Sequence, residues 1–319
     1  MVTDPLPLLL VGGSLGAGKT TLLARWLADP ALANTAVLVN EPGEAPIDAH
    51  LMGALAGATR TLAAGCACCD ARSELPRALE ALVDGRRPAP GFERVIVELS
   101  GLAHPAPLLE DFAADGRLHE RFPLLGMATV VDAAEGLAAL EVPEARARVA
   151  AADVLIVGKT ELATQADVDT LVAALARLNP HAEIVRGGSS TEAREIWAAA
   201  AASPGRELRR IEAALAAGGE DGPAADAVRV HTIRFDAPVE LSGFCVRLAA
   251  WLAENEGAVL RVKGLVGVQG RHGPAVIQAV GASLQPVRTL KEWPPGAAPG
   301  ALAVVGRGLD GARLRVSLA

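Results

Sequence analysis

Between an apolar run, Leu6 to Gly12, and a helical pattern beginning at Thr20, the chain reads Gly13-Ser14-Leu15-Gly16-Ala17-Gly18-Lys19-Thr20. Gly, four residues, then Gly-Lys-Thr at the passage from strand to helix is the pattern of a phosphate-binding loop. Glycines let the backbone wrap an anion with its N–H groups turned inward, and the helix that follows adds its positive end. Lys19 is placed to reach the β- and γ-phosphates of a nucleotide, and the Thr20 hydroxyl to hold Mg²⁺. Gly13, Gly16, Gly18, Lys19, Thr20 and Thr21 are therefore the expected nucleotide contacts. A loop of this kind belongs to a parallel sheet with crossover helices, which narrows the fold before anything else is read.

The rest of the first two hundred residues agrees with that fold. Short apolar runs at Ala36 to Asn40, Arg94 to Glu98, Met127 to Val131, Val154 to Val157 and Glu183 to Val185 read as strands. Helical patterns at 73–83, 105–114, 165–178 and 191–201 fall between or after them. The texture then changes. Residues 203–227 are rich in Ala, Gly and charge, and include Gly218-Gly219-Glu220-Asp221-Gly222-Pro223, a linker composition. Beyond it, alternating runs at 228–235, 258–266, 275–280 and 301–305, with one helix near 241–253, suggest a smaller α+β unit. The expected organisation is a P-loop domain over 1–210, a linker over 211–227 and a C-terminal domain over 228–319.

Composition removes several classes of function. A length of 319 residues fits about two domains. Although 51% of residues are hydrophobic, no run of roughly 18 apolar residues escapes a charge or turn former, so no membrane helix is expected. The start, Met1 to Pro7, lacks the basic region of a secretory signal, and the four cysteines do not suggest a disulfide framework. A reduced, cytoplasmic setting is expected. Net charge is −7, with no basic run, which argues against nucleic acid as a partner. Of the 30 basic residues only Lys19, Lys159, Lys263 and Lys291 are lysines, and two of these fall in nucleotide motifs. A lysine kept in an arginine background suits a place that requires a compact ammonium on a slim stem.

Two further segments complete the nucleotide reading. Val95-Ile96-Val97-Glu98-Leu99-Ser100-Gly101 is an apolar strand ending in a carboxylate. Glu98 is expected to serve the Mg²⁺ shell or orient the attacking water, and Gly101 to offer its N–H to the γ-phosphate. Val157-Gly158-Lys159-Thr160-Glu161 stands where a base-reading Asn-Lys-x-Asp motif belongs. Lys159 would lay its stem along the base and Glu161 would accept from guanine N1 and N2, with one methylene more than aspartate. Gly158 supplies no amide, which leaves guanine expected on weaker geometry.

Cys66, Cys68 and Cys69 lie within four residues between these motifs. Thiolates are soft ligands suited to zinc and other late transition metals, and three of them leave one position of a tetrahedral ion to be filled. Such ligation demands a tight turn, for which Gly65 gives freedom, because neighbours on a strand face opposite ways. Cys245, among apolar neighbours on a helical pattern, reads as a core residue. His104 and His119 lie near the active segments; isolated histidines usually have no ligand role. Glu44 and Asp132 suit either a switch or Mg²⁺-shell role, or that of solvated turn carboxylates, with Asp132 the better placed.

Together these residues resemble the CobW-like family of P-loop GTPases. The likeness rests on the Gly13 to Thr21 loop, Asn40-Glu41-Pro42-Gly43-Glu44, Gly65-Cys66-Ala67-Cys68-Cys69, Glu98-Leu99-Ser100-Gly101-Leu102-Ala103-His104-Pro105, Val131-Asp132-Ala133 and a tail with Val259 to Gly264 and Trp293. It implies a GTP-hydrolysing metallochaperone using GTP, Mg²⁺ and Zn²⁺ or Co²⁺, with a client metalloprotein as partner and cobalamin biosynthesis as one setting. Oligomeric state stays open. Glu41, if it supplies the fourth ligand beside Cys66, Cys68 and Cys69, would link metal affinity to nucleotide state, so that GTP closes the metal site and hydrolysis opens it. Pro42 replaces a common Phe, Gly158 and Glu161 depart from the base motif, and the His-rich stretch of many members is absent from 203–227. Two other readings stand beside this one: an ATP-dependent small-molecule kinase, and a regulatory nucleotide-binding module whose zinc is structural.

Overall fold

Every residue of Leu8–Gly13 (β1) is buried, as a central strand covered on both faces requires. A computed structural model of the chain describes residues 5–32, 34–40, 61–64, 75–76, 79–80, 82, 92–101, 118, 121–179, 182–187, 193–200, 228–284, 287–293 and 300–310. It divides into two compact units, Met1–Ala174 with Ala182–Ala201, and Leu175–His181 with Ala202–Ala319. The expected linker at 211–227 and the expected helix at 105–114 lie outside the described residues.

In the first unit seven strands form one sheet. They are β1, Thr35–Asn40 (β2), Thr61–Ala64 (β3), Arg94–Leu99 (β4), Leu124–Asp132 (β5), Val154–Gly158 (β6) and Glu183–Arg186 (β7). Their order is β3-β2-β4-β1-β5-β6-β7, and every pairing is parallel. Because β2 lies beyond β4 on one side of β1 while β5 and β6 lie on the other, chain order reverses at β1. A crevice opens at the carboxyl ends of strands at such a point, and there the phosphate loop sits. β3, not foreseen from the sequence, adds an edge strand with Asn40 of β2 directly opposite Ala64.

Helices Lys19–Ala28 (α1) and Ala193–Ala200 (α5) cover one face. Leu22, Leu23, Trp26 and Leu27 of α1 and Ile196 of α5 share a core with Leu9, Val11, Ile96, Val130 and Ile156 of the sheet. Burying each such aliphatic side chain contributes roughly 1.5–3 kcal/mol. Between β5 and β6 run the short helix Gly136–Ala139 (α2) and Pro143–Ala151 (α3), neither expected from periodicity. Gln165–Leu178 (α4) follows as expected. Of the helix expected over 73–83, residues 75, 76, 79, 80 and 82 are helical and the others lie outside the described set.

The second unit is an antiparallel sheet with one long helix. Its strands are Val228–Arg234 (β8), Val259–Val266 (β9), Ala275–Val280 (β10), Ser283–Leu284 (β11), Arg288–Thr289 (β12) and Gly300–Arg307 (β13), ordered β11-β10-β9-β13-β8 with β12 on β10. Leu241–Glu254 (α6) buries Phe244, Leu248, Trp251 and Leu252 against Val262, Ile277 and Val304. Phe235 meets Phe244 edge to face, centroids 5.6 Å apart. The Glu240 side chain caps α6 by accepting from the N–H groups of Ser242 and Gly243 at 2.9 and 2.6 Å. Cys245 packs against this core half-buried, and burial, then the nearby Glu240 carboxylate, push its thiol pKa up. Its neighbours are those of the core, which it lines from the edge. Among the described residues no helix is long and apolar enough to cross a membrane.

Candidate nucleotide site

Leaving β1, the backbone takes positive φ at Gly13, Gly16 and Gly18, with φ 77° at Gly16 and 95° at Gly18, values that side-chain-bearing residues rarely adopt. Gly18 then caps α1, whose first residue is Lys19. The result is the loop that the sequence predicts. Lys19 is only 5% exposed, and its ammonium donates to the carbonyls of Gly13 and Ser14, both at 3.0 Å. An ammonium folded back over its own loop lies where phosphate oxygens can draw it outward.

Next to it, the Thr20 hydroxyl donates to Glu98 Oε1 at 3.0 Å. Glu98 stands in β4, beside β1, and is fully buried. Hydroxyl and carboxylate are hard oxygen donors of the kind that Mg²⁺ takes, so the pair fits that ion by the chemistry of its atoms. Thr21, on the first turn of α1, is exposed. Gly101 has a steric role that the sequence does not reveal. A Cβ there would lie 2.5 Å from the Leu15 nitrogen and 2.8 Å from its Cα, so the backbone after β4 packs directly on the phosphate loop.

At the other end of the site, β5 ends in Asp132 and β6 in Gly158, which pair in register. Lys159 is the one residue other than glycine with positive φ among the described residues, at 54°. Its ammonium donates to Asp132 Oδ2 at 2.6 Å, while Asp132 Oδ1 accepts from the Ala134 N–H at 2.9 Å. The Lys159 stem runs by Gly18, whose missing Cβ would lie 4.0 Å from Lys159 Cε. Asp132 thus pairs with Lys159 across the ends of β5 and β6. Glu161 is exposed on the short 3₁₀ turn that follows, Thr160–Leu162.

Sequence reasoning missed Arg148. It comes from α3, is 4% exposed, and its Nη2 donates to the Ser14 hydroxyl of the phosphate loop at 3.3 Å. Helix α3 buries Ala145, Ala147, Val149, Ala150 and Ala151, small residues that leave no hydrophobic stripe to read. The available signal was Pro143 at the first helical turn with Glu144 beside it. Glu41, Cys66, Cys68, Cys69, His104 and His119 lie outside the described residues.

A glycine-wrapped loop between strand and helix, a lysine within it, and a Thr–Glu oxygen pair at a sheet switch point define a P-loop nucleotide-binding protein. Residues 7–186 match the family described as CobW/HypB/UreG, nucleotide-binding domain, and residues 228–319 match the cobalamin synthesis protein CobW C-terminal domain. The chain belongs to the CobW/HypB/UreG family. It is 35% identical over 183 residues to the zinc chaperone YjiA of Escherichia coli K12, covering 57% of each protein. It is 30% identical over 190 residues to zinc-regulated GTPase metalloprotein activator 1 of Schizosaccharomyces pombe, covering 57% of this chain and 46% of that protein. The aligned region therefore spans about half the length of these curated relatives. The crystal structure of Zn(II)-bound YjiA GTPase from E. coli shares the fold, with a TM-score of 0.68 at 20% identity over 99% of this chain and 98% of that one.

Proposed function

We propose that this protein is a GTP-hydrolysing metallochaperone that carries zinc or cobalt on Cys66, Cys68 and Cys69 and delivers it to a client metalloprotein in the cytoplasm. The observation that carries the nucleotide half is the convergence of the Lys19 ammonium, the Thr20 hydroxyl and the Glu98 carboxylate at the switch point of the sheet. Lys19 exchanges the carbonyls of Gly13 and Ser14 for the β- and γ-phosphates. Thr20 and Glu98 would hold Mg²⁺, which when bound neutralises charge on the phosphate oxygens. Glu98 also orients the attacking water, and Gly101 brings its N–H to the γ-phosphate end. Lys159 and Glu161 take the base, with guanine preferred.

The metal half draws support from register and from kinship. Asn40 and Ala64 are direct partners on adjacent parallel strands, about 4.8 Å apart by ordinary sheet geometry. Glu41 is the next residue after one, and Cys66 the second after the other. The Glu41 carboxylate is taken as the fourth ligand beside the three thiolates. The names of the relatives, zinc chaperone and zinc-regulated GTPase, favour this reading over a small-molecule kinase. On this reading the domains are 1–210 and 228–319, joined by 211–227.

Anaerobic zinc titration with and without a non-hydrolysable GTP analogue, alongside a GTP hydrolysis assay, tests the proposal. Tighter zinc binding with the analogue, lost in Cys66→Ser and Cys68→Ser, is the expected result. Equal zinc affinity in both nucleotide states sinks the coupled mechanism, and absence of hydrolysis sinks the enzyme.

A further inference from the structure

Ser14 is held from three directions. Its carbonyl accepts from the Lys19 ammonium at 3.0 Å and from the Ala17 N–H at 3.2 Å. Its peptide link to Leu15 lies against Gly101, where a Cβ would come within 3.0 Å of the Ser14 carbonyl carbon. Its hydroxyl accepts from Arg148. The last of these contacts is unlike the others, because it brings a buried guanidinium from a helix distant in sequence to the second residue of the phosphate loop.

The position of Arg148 is fixed from both ends. Thr129 of β5 alternates with Ala128 and Val130, which face α1, so it points to the opposite side of the sheet. There its hydroxyl donates to the Arg148 carbonyl at 3.2 Å. The guanidinium at the far end meets Ser14. Burial lowers the Arg148 pKa and the Glu144 carboxylate, one helical turn earlier, raises it, but a guanidinium stays charged in a protein. At 4% exposure and in contact with the phosphate loop, it sets a positive charge next to the place where such a loop takes a polyanion.

We infer that Arg148 is a positioning residue for nucleotide: it pins the phosphate loop through the Ser14 hydroxyl and supplies a second fixed positive charge beside Lys19 for the phosphates. The inference rests on the nucleotide-binding reading above. Arg148 touches the loop, so it acts on affinity and on the response to phosphate charge. A more highly charged triphosphate gains more from it than a diphosphate does.

The test is equilibrium binding of fluorescent GDP and a non-hydrolysable GTP analogue, in Mg²⁺ buffer, to the full chain and to Arg148→Met, Arg148→Lys, Ser14→Ala and Ser14→Ala with Arg148→Met. Thermal melting of each variant runs in parallel. Arg148→Met is expected to weaken triphosphate binding about tenfold and to lower the ratio of triphosphate to diphosphate affinity. Arg148→Lys restores the ratio, since it keeps the charge. Ser14→Ala weakens both nucleotides, and the double variant loses less than the sum of the singles, because the two side chains act as one unit. Arg148→Met that melts earlier yet binds both nucleotides as the parent does would overturn the inference and leave Arg148 a packing residue. If Arg148→Met does not fold, Ser14→Ala decides, and parental binding there overturns it as well. Failure of the unmodified chain to bind either nucleotide refutes the nucleotide reading itself, a result separate from any variant.

Discussion

The Lys159 ammonium sits 2.6 Å from Asp132 Oδ2, and this ion pair fastens the turn after β6 to the end of β5. Lys159 adopts a left-handed backbone, φ 54° and ψ 33°, which costs an L-residue roughly 1–2 kcal/mol. The pair, together with the Asp132 contact to the Ala134 N–H, offsets that strain. In a motif whose first position is Gly158, the turn is tied down by charge where an amide would ordinarily serve.

Asp132→Ala should therefore loosen the turn that carries Lys159 and Glu161. One partner is about a third exposed, so the stability loss is small, on the order of 1 kcal/mol. The expected loss of guanine-nucleotide affinity is larger, about tenfold, because an oriented lysine becomes a mobile one. Titration of fluorescent GDP, compared with the shift in melting temperature, separates the two. Equal and small effects on both would show that the pair only stabilises the fold.

Gly158→Asn should be tolerated and should sharpen base selection. A Cβ at 158 would meet Val130 Cγ1 at 3.7 Å, the Ala17 carbonyl at 3.9 Å and the Val131 carbonyl at 4.0 Å, all ordinary contacts. The amide of asparagine would start beside the Ala17 carbonyl of the phosphate loop and can donate toward it. Stability should change by no more than about 0.5 kcal/mol, while the preference for GTP over ATP rises. Competition titrations check this, and a strong preference of the parent protein for ATP overturns the guanine assignment.

Gly101→Ala should do the reverse and damage the site from a position that carries no side chain. The added methyl would lie 2.5 and 2.8 Å from backbone atoms of Leu15, which no rotamer change can relieve. Overpacking of this kind costs about 1–3 kcal/mol, and it is applied to the phosphate loop itself. A lowered melting temperature with loss of GDP binding is expected. Unchanged binding would mean that the loop can shift without consequence.

What the sequence made legible follows from which interactions leave a local pattern. The phosphate loop, β1, β4, β5 and β6 were readable because a buried parallel strand is a run of Val, Ile and Leu between turn formers. Helix α6 was readable for its large apolar residues, Phe244, Leu248 and Trp251. Helix α3 left no stripe because alanines fill its buried face, and Arg148 went with it. The Lys159–Asp132 pair was hidden for another reason. Both residues stood in recognised motifs, but strand register alone brings positions 132 and 158 together, and register is a property of the sheet.

The cap of α6 gives a pH dependence with a definite sign. Hydrogen bonds from the backbone N–H of Gly243, then from that of Ser242, lower the pKa of the Glu240 carboxyl. A folded-state pKa below the unfolded one means that the unfolded chain binds the proton more readily. The cap's contribution is thus complete above the ordinary glutamate range and is lost as pH falls through the lowered value. Glu240→Ala should show a smaller drop in melting temperature between neutral and mildly acidic pH than the parent. Parallel pH profiles for the two proteins would remove the cap from the acid response.

Asn40 and Ala64, the last residues of β2 and β3, are direct partners. If Glu41 completes the metal site, the factor by which a GTP analogue tightens zinc equals the factor by which zinc tightens the analogue. Glu41→Ala should then leave thiolate binding of zinc in place and bring both factors to one together. Cys66→Ser should instead abolish zinc binding while GDP still binds through Lys19 and Thr20. Zinc and nucleotide titrations on the two variants check this. A Glu41→Ala protein that retains the full coupling would assign the fourth ligand to another residue.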